Sequence, residues 1–165
     1  MSTTVDLTGH AIYVDANIPM YVAGKDHPLR AVCQQAFALI ARDLVPAASS
    51  VEVHQEILHR YLSLRLPEQA RAVSESLQII VPTTLPVTLA DIERARFLSI
   101  SYPQIPARDL LHCALMLNNG LTRILTVDRH FDTIVEVERV LPDQLVAIYE
   151  SIGEAQSDSG SGFQS

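Results

Sequence analysis

The sequence has no long apolar run and only two cysteines, and each shortage excludes a class of protein. No stretch approaches the roughly 18 consecutive apolar residues of a membrane-spanning helix, and no basic segment followed by an apolar one opens the chain. We therefore expect a soluble, cytoplasmic protein. Cys33 and Cys113 each lie on the apolar side of a helical pattern, which favours reduced core thiols over a disulfide framework. Two cysteines alone also cannot complete a zinc site.

Positive charge is scarce as well. The 165 residues include 12 lysines and arginines against 19 aspartates and glutamates, which gives a net charge of −7. The chain therefore lacks the basic surface of a simple non-specific DNA-binding module. It also has no glycine-rich loop with a lysine to cradle phosphates. A negative balance can arise where several carboxylates collect around a cation, so the positions of the acids matter.

The length and composition fit one globular domain. With 48% hydrophobic and 19% charged residues the chain can bury a single core, and we assign that domain to residues 1–150. Residues 151–165 are rich in glycine and serine and poor in large apolar side chains. They are therefore predicted to form a disordered C-terminal tail.

Short apolar strands alternate with helical patterns along the chain. The predicted strands are Ala11–Asp15, Leu44–Ser50, Leu77–Pro82, Thr122–Asp128 and Val137–Leu141. The helices between them have boundary residues of the expected kinds, namely Ser50, Pro67, Thr88, Pro106 and Gly120. This alternation predicts the α/β class, with a parallel sheet and helices on both of its faces.

Four acids fall where such a fold would bring them together. Asp15 and Asp128 each end a predicted strand, and ligands of parallel sheets bind beyond the carboxyl ends of the strands. Glu56 and Asp109 lie early in helices that begin at the same end of the sheet. Each acid alone also fits an ordinary turn, helix start or solvated face. Glu52, one turn earlier on the same side of its helix, is an alternative to Glu56.

The four carboxylates together favour a Mg²⁺ or Mn²⁺ site, because hard oxygen ligands suit these ions better than zinc. Such sites typically serve phosphoryl transfer or phosphodiester hydrolysis. A zinc protease helix is disfavoured, because His54 and His59 do not have the required spacing of four residues. Phosphatases with a nucleophilic aspartate on the first strand carry a second aspartate two residues later, where this chain has Asn17.

Four stretches contain these acids: YVDAN, QEILHRY, ARDLLHCALM and ILTVDRHFD. Together they resemble the PIN-domain ribonucleases, and in particular the VapC-type toxins of bacterial toxin–antitoxin systems. The similarity spans roughly residues 11 to 141. It implies a three-layer α/β/α fold around a parallel sheet of four to five short strands. It also implies a Mg²⁺- or Mn²⁺-dependent ribonuclease whose products carry a 5′-phosphate and a 3′-hydroxyl.

The resemblance assigns roles to individual residues. The catalytic, metal-binding set would be Asp15, Glu56, Asp109 and Asp128, with Asp132 as an occasional extra member. Asn17 and Thr126 would occupy the supporting positions that orient the acids. Ala16 departs from the family, in which many relatives carry a hydroxyl residue. Cations near the motifs are candidates for RNA contact, with solvated surface positions as the alternative, and they are Lys25, Arg30, Arg60, Arg108 and Arg129.

The resemblance also implies partners, namely an RNA substrate, a small VapB-like antitoxin and a second copy of the chain in a homodimer. It implies no association with a membrane. The antitoxin would lie along an apolar groove. Residues that could line this groove or belong to the core are Leu29, Phe37, Ile57 and Tyr61. Two alternatives stay open: an RNA-processing PIN nuclease without an antitoxin, and a PIN-like binding module whose acids no longer function.

Overall fold

The computed structural model describes the backbone of residues 11–159 and the side chains of residues 11–150, and a parallel sheet lies at its centre. The strands are β1 (Ile12–Val14), β2 (Ala47–Ser50), β3 (Thr84–Leu85), β4 (Arg123–Leu125) and β5 (Glu138–Val140). Their order across the sheet is β3-β2-β1-β4-β5, and every pairing between neighbours is parallel. The predicted α/β class with a parallel sheet is therefore confirmed.

Helices cover both faces of the sheet. They are α1 (Asn17–Ala23), α2 (Arg30–Ala41), α3 (Val51–Ser63), α4 (Pro67–Ile80), α5 (Leu89–Ser101), α6 (Ala107–Asn118) and α7 (Pro142–Ser159), with a 3₁₀ helix at Arg129–Thr133. Right-handed crossovers put α1 to α4 on one face and α5 and α6 on the other, because the chain reverses direction across the sheet after β3. Accordingly, α1 packs on α2 and α4, while α5 packs on α6. In residues 11–159 no helix is long and apolar enough to cross a membrane.

Strand β1 lies in the middle of the sheet, and its Ile12, Tyr13 and Val14 have no exposed surface. A strand covered on both faces needs this continuous apolar run. The strand order reverses between β1 and β4, which creates a crevice beyond their carboxyl ends. Asp15 follows β1 directly and Asp128 follows β4 after two residues, so both acids belong to this crevice.

Most predicted helix boundaries are confirmed. Ser50 caps α3, and Thr88 with Asp91 forms a capping box at the start of α5. Pro106 is the residue just before α6. Gly120 has a positive φ of 72° after α6, the left-handed conformation that ends many helices. Local sequence signals were sufficient here because each boundary is made by residues close together in the chain.

One predicted strand is wrong. Helix α4 continues through most of Leu77–Pro82, and the third strand is instead the short pair Thr84–Leu85. Burial in this stretch follows the helical period, since Leu77 is fully buried while Ile79 is 79% exposed. A short apolar run does not distinguish a strand from a helix end by periodicity alone. Helix α1, which begins two residues after Asp15, has no predicted counterpart.

Helix α7 extends to Ser159, and so into the segment for which composition predicted disorder. The domain boundary at residue 150 stays a prediction, and residues 160–165 lie outside the described part of the chain. Glu154, Ala155 and Gln156 have high helix propensity, which favours continuation of a helix that has already begun.

Candidate active site

Asp15 has hydrogen-bond donors on both carboxylate oxygens. Its Oδ1 accepts from the Ala16 backbone N–H at 2.7 Å, and its Oδ2 accepts from the Thr126 hydroxyl at 2.6 Å and the Asn17 amide at 2.9 Å. Asp15 is only 7% exposed. Burial raises the pKa of this carboxyl, whereas the nearby His112 and the Thr126 hydrogen bond lower it, and burial has the larger effect. A bound cation would stabilise such a buried negative charge.

Thr126 and Asn17 connect the end of β1 to the end of β4. The Asn17 amide donates to Thr126 Oγ1 at 2.8 Å, and its carbonyl oxygen accepts from the Val127 N–H at 3.4 Å. The Asp128 N–H donates to the same Thr126 hydroxyl oxygen at 3.1 Å. The loop that carries Asp128 is therefore tied to Asp15 by the two side chains with predicted supporting roles.

A histidine from α6 contacts Glu56. His112 Nε2 lies 2.5 Å from Glu56 Oε1, and His112 is 1% exposed. Burial alone would lower the pKa of His112, but the hydrogen bond to Glu56 and the charges of Asp15 and Glu56 outweigh it, so the pKa is raised. Asp15, Glu56 and His112 each offer one ligand atom, and these atoms lie within 4.8 Å of one another.

The structure distinguishes Glu56 from its alternative, Glu52. The Arg108 guanidinium approaches both, with Nε 3.6 Å from Glu52 Oε1 and Nη1 3.7 Å from Glu56 Oε2. Of the two glutamates, Glu56 is the one grouped with Asp15. Arg108, a candidate for RNA contact, is turned toward these glutamates.

Asp109 and Asp128 form a second acidic pair around His130. The His130 Nδ1 lies 2.8 Å from Asp109 Oδ2 and 3.4 Å from Asp128 Oδ1. Partial burial raises the pKa of Asp109, the hydrogen bond with His130 lowers it, and the charge of Asp128 raises it, with a net rise. The hydrogen bond with Asp109 and the charge of Asp128 raise the pKa of His130. Ligand atoms of these three residues also lie within 4.8 Å of one another.

The four predicted acids thus lie in two pairs, Asp15 with Glu56 and Asp109 with Asp128, contributed by four segments of the chain. The positive charge of His112 lowers the pKa of both Asp15 and Asp109, so this histidine influences one acid in each pair. Carboxylates make up most of the candidate ligands, and that of Asp15 is deeply buried. This chemistry fits a hard divalent cation such as Mg²⁺ or Mn²⁺.

Asp132, predicted as an occasional extra member, lies in neither pair. Arg139 from β5 donates to both of its oxygens, Nε to Oδ1 at 2.7 Å and Nη2 to Oδ2 at 2.8 Å. This ion pair lowers the pKa of Asp132. Asp132 therefore ties the 3₁₀ helix to the edge strand β5.

The other cations named as candidates for RNA contact occupy different surroundings. Exposed Lys25 and Arg60 line a groove of about 550 Å³ that begins at Asn17, beside Asp15. Arg30 pairs with Asp26 at 3.2 Å. Arg129 is exposed at the start of the 3₁₀ helix.

The groove at Asn17 also has aromatic and apolar walls. Tyr21 and Tyr61 line it. Tyr61 is one of the four residues that the sequence offered for the lining of an apolar groove or for the core. Phe37 lines a separate, smaller groove of about 240 Å³. Ile57 has no exposed surface, so it belongs to the core.

Sequence reasoning missed the roles of His112 and His130. Both lie inside stretches that carried the resemblance. His112 follows Asp109 by one helical turn and so shares its face of α6, while His130 lies two residues after Asp128. Spacing from a named acid was the signal that could have found them.

Known proteins resemble this chain in sequence and in fold. Residues 12–137 match the PIN domain family. Ribonuclease VapC13 of Mycobacterium tuberculosis is 33% identical over 129 residues, which cover 78% of this chain and 98% of that protein. Ribonuclease VapC23 of the same species is 34% identical over 119 residues, covering 71% and 92%.

A solved structure with a similar fold is VapBC2 from Rickettsia felis bound to a DNA fragment from their promoter. The match has a TM-score of 0.65 at 15% identity and covers 79% of this chain and 98% of that one. The predicted three-layer PIN fold is confirmed by this match and by the observed sheet order. Because the family match spans most of the chain and VapC relatives exceed 30% identity, this protein belongs to the PIN domain family and, within it, to the VapC ribonucleases.

Proposed function

We propose that this protein is a metal-dependent ribonuclease that hydrolyses RNA phosphodiester bonds in the cytoplasm, as the toxin of a toxin–antitoxin pair. The observation that carries the proposal is the convergence of Asp15, Glu56, Asp109 and Asp128 at the carboxyl end of the sheet. The VapC relatives are named ribonucleases, which supports RNA as the substrate.

The residues of the site would divide the chemistry among them. The four carboxylates would hold Mg²⁺ or Mn²⁺. The ion supplies charge neutralisation at the scissile phosphate and lowers the pKa of the attacking water. Thr126 and Asn17 keep the Asp15 carboxylate from rotating, because they bind its Oδ2 while the Ala16 amide binds Oδ1.

Flanking RNA would follow the groove that begins at Asn17. Lys25 and Arg60 would contact phosphates there and offset the repulsion between RNA and the acids. Tyr21, which is partly exposed, supplies surface on which a base can stack. Arg129 is exposed next to Asp128 in the chain and would contact a phosphate near that acid.

Asp15→Asn tests the enzymatic proposal, because it removes the charge and keeps the shape. We expect the wild-type protein to cleave RNA with Mg²⁺ or Mn²⁺ and the variant to lose about 100-fold or more of kcat, because loss of a metal-binding carboxylate should cost at least as much as the roughly 10- to 100-fold that changes around the ligands cost. Product ends and initial rates on a mixed RNA substrate provide the measurement.

Asp132→Asn is the matched control, since its carboxylate binds Arg139 and lies outside both acidic pairs. It should cleave at close to the wild-type rate. Equal cleavage by the wild type and Asp15→Asn would contradict the proposal. So would a wild-type protein that cleaves no RNA with either ion, a result that favours the non-enzymatic alternative.

The toxin role has its own test. We expect a short reading frame immediately upstream whose product co-purifies with this chain. Expression of the chain alone should arrest growth, and Asp109→Asn should relieve the arrest. Growth arrest that survives Asp109→Asn would separate toxicity from cleavage, and active enzyme with no arrest and no co-purifying partner would favour RNA processing.

A homodimer stays a prediction, measurable by light scattering of the purified chain.

A further inference from the structure

A buried chain of hydrogen bonds runs from the start of α3 to Glu56. The Ser50 Oγ accepts from the Val53 N–H at 3.3 Å and lies 2.6 Å from Tyr13 Oη. Tyr13 Oη lies 2.7 Å from His112 Nδ1, and His112 Nε2 lies 2.5 Å from Glu56 Oε1. Tyr13 and Ser50 have no exposed surface. The chain is therefore shielded from water until it reaches Glu56.

The groups at the two ends of this hydrogen-bond chain determine that His112 Nε2 carries a proton. A backbone amide can only donate, and an ionised carboxylate can only accept. Nε2 therefore donates to Glu56 whether the imidazole is neutral or charged. In the neutral ring Nδ1 accepts from Tyr13, and in the charged ring it donates to Tyr13, so the contact with Glu56 persists in both.

The chain of hydrogen bonds ends on one of the two oxygens of the Glu56 carboxylate. Oε1 is bound by His112, while Oε2 lies 3.7 Å from the partly exposed Arg108. The Glu56 side chain retains 17% of its exposure. A histidine that only filled the core would need no carboxylate partner at the edge of a site. His112 instead holds Oε1 of Glu56, which leaves Oε2 as the oxygen that could bind an ion.

The same chain joins the elements that carry three of the four acids. Tyr13 lies two residues before Asp15 on β1, and His112 lies one turn after Asp109 on α6. Glu56 itself lies on α3, whose first turn is capped by Ser50. A change at His112 therefore reaches the site through contacts, without removing any of the four acids.

We propose that His112 is a positioning residue that orients Glu56 for binding of the divalent ion, and that Tyr13 and Ser50 hold His112 in place. This inference rests on the proposed metal-dependent function. Groups that hydrogen-bond to a metal ligand typically contribute 10- to 100-fold to metal affinity or activity, which sets the expected size of the effect.

Two substitutions of His112 separate positioning from simple filling of space. His112→Leu removes the donor to Glu56, and His112→Gln keeps a donor near the position of Nε2. We expect His112→Leu to weaken Mn²⁺ binding, measured by calorimetry, about tenfold or more, with His112→Gln recovering most of the loss. The Mg²⁺ concentration for half-maximal cleavage should rise in parallel. The KM for RNA at saturating ion should stay unchanged.

Cys113→Ala and Ser49→Ala are the matched controls. Cys113 is a fully buried neighbour of His112 on α6, and Ser49 is a fully buried serine next to Ser50 whose hydroxyl donates to the Val14 carbonyl. Both variants should lose stability and keep the ion affinity. If Cys113→Ala weakens Mn²⁺ binding as much as His112→Leu, the effect is one of core packing and the proposal is overturned.

Nitrogen NMR of His112 gives a readout that does not depend on cleavage. We expect the Nε2 proton to persist when Mg²⁺ saturates the protein, and Tyr13→Phe to shift the Nδ1 resonance. Loss of the Nε2 proton on addition of Mg²⁺ would mean that His112 binds the ion directly, which contradicts the proposal.

The two proposals fail in different ways. If the wild-type protein binds the ion and cleaves no RNA, the proposed ribonuclease function is overturned. The Mn²⁺ affinities of the wild type and the His112 variants still decide the role of His112. A wild-type protein that cleaves RNA, together with His112→Leu binding Mn²⁺ as tightly, overturns the positioning role alone.

Discussion

Thr126 serves three residues of the site with one hydroxyl group. It donates to Asp15 Oδ2 and accepts from the Asn17 amide and the Asp128 N–H. All of its hydrogen-bonding capacity is used, and the side chain is fully buried. Loss of this hydroxyl takes a donor from Asp15 and an acceptor from both the Asn17 amide and the Asp128 N–H.

Thr126→Val removes the hydroxyl and keeps the shape. We expect the free energy of unfolding to fall by about 1 to 3 kcal/mol, the cost of leaving a buried polar group unsatisfied, and the affinity for Mn²⁺ to fall with it. Urea denaturation and calorimetry provide the measurements. Thr126→Ser keeps the hydroxyl and should resemble the wild type in ion binding. A valine variant with unchanged stability and ion affinity would show that the hydroxyl is dispensable.

Cys33 and Cys113 are free and buried, as the sequence predicted. Burial raises the pKa of Cys33 to about 11 and that of Cys113 to about 12. Because the thiolate is the reactive form, both thiols of the folded protein should be unreactive near neutral pH.

A disulfide reagent added at pH 8 should therefore modify the native protein far more slowly than the protein in urea. The raised pKa values predict that the native rate increases only as the pH approaches 11, until the fold itself opens. The release of chromophore over time measures both rates. Rapid modification of Cys33 or Cys113 in the native protein at pH 8 would contradict their burial.

Helix α5 starts with a capping box that also reaches α6. Asp91 Oδ2 accepts from the Thr88 N–H at 2.7 Å and from the Thr88 hydroxyl at 2.9 Å. Asp91 Oδ1 accepts from the Asn118 amide at 2.8 Å. One buried carboxylate therefore begins α5 and joins it to the last turn of α6, the helix that carries Asp109 and His112 at its other end.

Thr88→Ala should lower the free energy of unfolding by about 0.5 to 2 kcal/mol, as loss of a helix cap does. Asp91→Ala should cost more, because it also leaves the Asn118 amide without its partner. Thermal and urea unfolding measure both. The Mn²⁺ affinity should be unchanged, since α5 contributes no residue to the acidic pairs. An Asp91→Ala variant as stable as Thr88→Ala would mean that the link to Asn118 contributes nothing.

For the whole molecule, the acids that could bind an ion are gathered at one end of the sheet in a chain of net charge −7. Binding of Mg²⁺ or Mn²⁺ to the folded state alone should raise its stability by mass action. At a free ion concentration of 100 times Kd, the gain is about 2.7 kcal/mol.

The melting temperature of the wild type should therefore rise when Mn²⁺ replaces EDTA, and the rise should disappear in Asp109→Asn. Asp132→Asn should keep the rise, because Arg139 already neutralises that carboxylate. Differential scanning calorimetry measures the shift. An equal shift in Asp109→Asn and the wild type would place the stabilising ion elsewhere on the protein.

Local patterns in the sequence determined the α/β class, most element positions and the identity of the candidate acids. Strand and helix periodicity and helix caps depend on residues close together in the chain, so β1 and the starts of α3 and α5 were predictable. Asp15 and Asp128 could be placed at one edge because the carboxyl ends of neighbouring parallel strands meet there.

Only the tertiary structure decided which distant side chains meet. His112 is 56 residues from Glu56 and 99 from Tyr13, and no local spacing predicts those contacts. The resemblance named Asp132 as an occasional extra member of the site, yet Arg139 from β5 binds it. The physical reason is that such pairings depend on how helices and strands pack against one another, and each pairing forms only where packing brings complementary groups together.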